Sequence, residues 1–99
     1  MVTIIAETNW PAENSRKIGE IWLNMTEVPK EMKLLYVGIK GEADCSKALV
    51  IWQIEDSFVA EALKYINNDV ARYFAVPGFG YTITPWTDAA DALKMVGLG

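Results

Sequence analysis

The chain has 99 residues, 52% of them hydrophobic, with nine basic and thirteen acidic side chains, one cysteine and no histidine. A chain of this length makes a single domain, residues 1–99, and hides only about 60 to 65% of the surface it exposes when unfolded, so four Trp, four Tyr and three Phe are more than one small core absorbs and point to a partner surface, most economically a second copy. The net charge of -4, with the basic residues scattered, excludes the clustered basic face of a nucleic-acid binder.

In chain order, "VTIIAETN" at 2–9 alternates Val2, Ile4 and Ala6 against Thr3, Ile5, Glu7 and Asn9, the pattern of a strand. Pro11 suits a first helical turn, and Ile18, Ile21, Trp22 and Met25 fall on one stripe of an amphipathic helix of about fifteen residues, with Trp22 and Met25 expected in the core. Trp10 either staples the start of that helix or rims a cavity. Residues 33–40 and 47–55 are two further strands joined by "GEADCS", a hairpin. Asp56 or Ser57 caps a second helix carrying Val59, Ala62, Leu63, Ile66, Val70, Tyr73 and Phe74, which Pro77 and Gly78 stop. The stretch "VPGFGYTITPW", 76–86, supplies the fourth strand, and Thr87 or Asp88 caps a short last helix with Ala89, Leu93 and Val96 on one face and Gly97 past its end.

The order β-α-β-β-α-β with a tail helix is that of an α+β ferredoxin-like sandwich, in which right-handed crossovers place both main helices on one face of a four-stranded antiparallel sheet. The uniformly apolar face this requires is met by Val2, Ile4 and Ala6, by Leu35, Val37 and Ile39, by Val50, Trp52 and Ile54, and by Phe79, Tyr81 and Ile83. The opposite face carries Ile5, Glu7, Asn9, Tyr36, Leu49, Ile51, Gln53, Glu55, Thr82, Thr84 and Trp86, too apolar for water and too polar for a plain core. A second subunit is expected to cover it, giving a homodimer whose sheets enclose a semi-polar cavity.

The helix boundary "IEDSFVAEAL", the helix end "VARYFAVPGF" and the ending "YTITPWTDAADAL" resemble the dimeric α+β barrel superfamily. Within it the likeness is to uncharacterised small proteins related to the stress-responsive barrel and antibiotic-biosynthesis monooxygenase-like domains. That resemblance covers nearly the whole chain as a pattern of elements, without a diagnostic motif. It implies a fold shared by cofactor-independent monooxygenases, haem-degrading enzymes, small isomerases and proteins without demonstrated activity. The haem-degrading branch combines an Asn on the first strand with Trp and His; Asn9 matches and Trp52 loosely so, but no His exists here.

The chemistry is bounded more by absences. Without histidine, Ser-His and Cys-His catalysis are excluded and a zinc site is disfavoured; Cys45 reads as an ordinary thiol near a turn. No glycine pattern cradles a phosphate, and "NWPAENSR" offers only Arg16, inside the helix, where an acylphosphatase-type loop needs its own arginine. The candidate catalytic groups are Glu7 and Asn9, near Gln53 and Glu55 if strands one and three are neighbours; the plainer reading leaves the carboxylates solvated or paired, for instance with Lys40. Tyr36, Gln53, Thr82, Thr84 and Trp86 are candidate ligand-binding residues, or dimer packing, which uses the same residue types. No metal and no cofactor are expected.

The expectation is a homodimer binding a small apolar or aromatic molecule between the sheets, or acting as an accessory protein. The alternative is a cofactor-independent monooxygenase or isomerase using the cavity residues; a third possibility is that the open face docks a different protein. The longest apolar run, "ALVIW" at 48–52, is far short of the roughly 20 residues that span a bilayer, and no signal peptide is read before Glu7, so a cytoplasmic location is expected.

Overall fold

The computed structural model of the chain describes residues 1–24 and 27–99. Its elements are β1 (Val2–Pro11), α1 (Ser15–Leu23), β2 (Met32–Gly41), β3 (Cys45–Ile54), α2 (Val59–Ala71), β4 (Gly80–Thr87) and α3 (Ala89–Met95). The four strands form one antiparallel sheet in the order β2-β3-β1-β4. This is the α+β ferredoxin-like arrangement, with the two long crossovers each carrying a helix to the same side. No helix among the described residues is long and apolar enough to cross a membrane.

Register follows the alternation of the sequence. Ile4 faces Trp52 and Pro85, and Ala6 faces Val50 and Ile83, so one face of the central strands is a continuous apolar surface. Ile4 and Ile54 lie at its fully buried centre, against Ala62, Ile66 and Val70 of α2. A second cluster gathers Trp10, Ile18, Tyr73 and Val76 around the far end of β1.

Several boundaries and one register differ from expectation; β4 starts only at Gly80, and a 3-10 turn at Asp56–Phe58, with no side-chain cap, precedes α2. Pro11 stays in the sheet opposite Cys45, and Ala12–Asn14 form a 3-10 turn, so α1 has nine residues; proline is tolerated at the end of a strand because only one ladder hydrogen bond is forgone. On β2 the register shifts between Leu34 and Tyr36, so Leu35 is a bulged residue and Leu34, opposite Trp52, holds the helix-side position expected of Leu35. One inserted residue resets the two-residue alternation, which returns Val37 and Ile39 to the expected face. The helix α2 ends at Ala71, before Pro77; successive three-residue turns carry the chain through Tyr73 and Phe74 to Phe79.

On α1 only Ile18 is buried; Trp22 is 36% exposed, not core, and Met25 lies outside the described residues. The tail helix α3 exposes Leu93, and Val96 just past its end is exposed as well, so the apolar face read there is uncovered in the single chain. Gly97, at φ 79°, closes it: Gly97 N–H donates to the Lys94 carbonyl and Leu98 N–H to that of Leu93, the paired bonds of a left-handed helix cap.

Candidate functional site

Between the helix layer and the sheet lies a cavity of about 520 Å³, within the range of small-molecule sites. Its roof is α1 and α2; its floor is the helix-side face of β1, β2 and β3. Two of the floor side chains, Ala6 and Ala48, are small and lie beneath Gly19 of α1, so little reaches across to fill the space there. Aromatic rings line its walls: Trp10, Trp22, Trp52, Tyr65, Tyr73 and Phe79.

Both ends of α1 are tied down by polar contacts. At its start the Trp10 indole N–H donates to Ser15 Oγ at 3.0 Å, which satisfies an otherwise buried donor. Trp10 thus holds the start of the helix, and it lines this helix-side cavity rather than rimming the one expected between two sheets. Beside it the Asn14 amide donates to the Pro77 carbonyl at 2.9 Å. At the other end Arg72 Nη1 donates to the carbonyls of Ile21 and Asn24, both at 3.0 Å, closing the C-terminus of α1. The same guanidinium grips Asp69 Oδ1 through Nε at 3.1 Å and Nη2 at 2.6 Å.

Asp69 also lines the cavity, with the Tyr73 ring next to it. Burial pushes the Tyr73 phenol above its ordinary 10.0, and the Asp69 charge adds to this while Arg72 opposes it. The phenol is therefore a neutral donor throughout the physiological range. Tyr73 stacks on Phe79 with centroids 5.3 Å apart, and Phe79, Phe74 and Tyr81 continue the aromatic series to the surface of β4.

The residues singled out in the sequence occupy the other face of the sheet. Glu7 stands between Leu49 and Thr82, Ile5 between Ile51 and Thr84, and Thr3 between Gln53 and Trp86. Tyr36 stands opposite Ile51. The structure thus places Glu7, Asn9, Tyr36, Gln53, Thr82, Thr84 and Trp86 on one surface, but not as one site. Although β1 and β3 are neighbours, antiparallel pairing sets Gln53 four residues along β3 from Leu49, the partner of Glu7, roughly 13 Å away. Glu55 lies beyond β3, and Lys40 pairs with Glu42 at 3.1 Å. The expected Glu7 to Gln53 and Glu55 juxtaposition is therefore absent.

Glu7 is exposed, and the Asn9 amide lies over the backbone of Gly80. Tyr36 lies flat across Gly38, whose missing side chain leaves room for its ring. Glu7 and Tyr36 border a shallow groove of about 360 Å³ with Lys40, Lys47 and Leu49. Sequence reasoning missed Asp69, Arg72 and the small floor residues. An acid and base three apart near a helix end were readable, but not the reach of Arg72 across to α1. Among the described residues no cluster of three or more acidic, cysteine or histidine side chains is placed to hold a metal ion.

No family model matches the chain, and no curated protein matches it. Solved structures do. The chain is similar to a de novo designed protein, Foldit4, with a TM-score of 0.62 at 10% identity over 88% of this chain and 97% of that one. It is also similar to the ACT domain of the GTP pyrophosphokinase of Chlorobium tepidum, with a TM-score of 0.50 at 6% identity over 87% of this chain and 97% of that one. At such identities the likeness is one of fold, and the fold is ferredoxin-like.

Proposed function

We propose that the protein is a homodimer that binds a small apolar or aromatic molecule, with the bound molecule held between helices and sheet within each chain. The observation that carries this reading is the aromatic-walled cavity of about 520 Å³ beneath α1. An apolar or aromatic molecule bound against these rings takes apolar surface of both partners out of water, which favours its binding.

The dimer is supported by surface. The chain exposes 6521 Å², whereas a compact monomer of 11.0 kDa exposes about 5600 Å². The excess of about 900 Å² is close to the roughly 800 Å² that each partner buries in a standard interface. Tyr36 and Trp86 are more than half exposed on the open face, around a half-buried centre of Ile5, Leu49, Ile51 and Gln53. Both sheet edges are blunted, β2 by its bulge and flanking lysines and β4 by Pro85, so association through the face is favoured over edge pairing. In this reading Tyr36, Gln53, Thr82, Thr84 and Trp86 meet their counterparts across the two-fold axis, Glu7 and Asn9 border the interface, and the assembly is of the dimeric α+β barrel kind.

Native mass spectrometry of freshly purified protein tests both parts. The expected spectrum is a dimer carrying additional mass that Ala48→Trp, which fills the cavity floor, removes. A stable monomer defeats the dimer, and a bare dimer that takes up no aromatic probe defeats the binding site.

A further inference from the structure

We infer that the cavity selects an uncharged aromatic molecule bearing a hydrogen-bond donor, and that Asp69 sets this choice by rejecting carboxylates. The inference rests on the cavity being a binding site and adds the chemical class of its ligand.

The walls fix the aromatic part. Three indoles, two phenols and Phe79 surround the space, and ring faces and edges of this kind favour a flat aromatic guest in stacked or edge-on contact. The polar groups fix the rest. They are the hydroxyls of Thr8, Ser15 and Ser46, the two phenols, the indole N–H groups of Trp22 and Trp52 and the carboxylate of Asp69; no lysine or arginine is among the lining residues.

Arg72 directs both Nη1 N–H groups to carbonyls of the α1 terminus and Nε and one Nη2 N–H to Asp69, so four of its five donors are engaged, and it is not among the lining residues. Both bonds to Asp69 land on Oδ1, which leaves Oδ2 as a second acceptor for a ligand N–H or O–H. Lys40 and Lys47 are engaged by Glu42 at the hairpin.

The start of α1 offers no substitute for a cation. Its first helical amides belong to the preceding 3-10 turn, Ala12–Asn14, none of which lines the cavity, and the Ser15 N–H is bonded to the Ala12 carbonyl. A ligand carboxylate entering here would be stripped of water beside another carboxylate with no free counter-charge. A neutral ligand with a donor instead meets an ionised acceptor, the stronger class of hydrogen bond.

Isothermal titration calorimetry with 2-naphthol and 2-naphthoate near neutral pH tests this, since the two share a ring system and differ in the polar group. The expected result is that 2-naphthol binds at least about tenfold tighter, the ratio that one hydrogen bond to a charged group supplies. Asp69→Asn, its fold checked by circular dichroism, is expected to shrink that ratio to less than about threefold, the carboxylate's share of the discrimination being lost. Equal binding of the two probes to the wild-type protein, with both displaced by Ala48→Trp, overturns the selection while the site stands. Failure of both probes to bind overturns the site and the selection together.

Discussion

Arg72, the residue just past the end of α2, holds Asp69 at 2.6 Å, and with the same guanidinium caps carbonyls 48 and 51 residues earlier in the chain. One side chain thereby fixes a cavity wall and the end of its roof. Because α1 buries only Ile18, polar ties such as this one help to hold that helix down. Arg72→Met is expected to cost about 2 kcal/mol and to lower the melting temperature by about 8–16 °C. Arg72→Lys should recover little, because an ammonium does not reproduce the planar fork. Thermal denaturation followed by circular dichroism checks both variants.

A second prediction concerns Gly78. Its φ is 78°, and a Cβ there would sit 2.6 Å from Pro11 Cγ, an atom of a rigid ring. Gly78→Ala therefore meets both a disfavoured backbone and a neighbour that does not yield, with an expected loss of about 2–4 kcal/mol. Chemical denaturation midpoints measure it, and an unchanged midpoint would refute the account.

Gly38 differs in kind. The obstacle to a side chain there is the Tyr36 ring, which can swing away, so Gly38→Ala should leave monomer stability nearly unchanged. The displaced ring, however, belongs to the face proposed to meet a second copy. Sedimentation equilibrium should show a dissociation constant raised about tenfold, the effect of losing one well-packed aromatic anchor. Unaltered dimerisation would remove Tyr36 from the interface.

The alkaline limit of stability should report Tyr73. Its folded pKa is raised above 10.0 by burial and the Asp69 charge, so the unfolded chain ionises first. The contribution to stability is complete below pH about 10, the unfolded value, and is lost as pH rises through the folded value. Melting temperatures measured against pH should fall in that window, and Tyr73→Phe should flatten the fall. Phenolate absorbance should show one tyrosine titrating late.

Much of the fold was legible because its periodicities are local. The strands announced themselves through the alternation of Ile4 and Ala6 with Thr3 and Glu7, and α2 through the spacing of Ala62, Ile66 and Val70. These patterns follow from pleat and helix pitch, which depend only on neighbouring residues. The bulge at Leu35 was not legible, because "KLLYVGIK" contains apolar residues in both phases and only pairing with Trp52 and Ile51 selects one.

The sequence by itself determined the order of elements, the two faces of the sheet and the surplus of apolar surface, each being a sum or period of residue properties. Tertiary structure alone decided where a cavity would open. The polar residues that drew attention lie on the outer face, whereas the cavity arises where Ala6, Ala48 and Gly19 are brought together and leave volume unfilled. A void is a property of what opposing elements fail to occupy, and no single strand or helix carries it. The hold of Arg72 on α1 is of the same kind: its partners are backbone carbonyls, which every residue possesses and only the fold singles out.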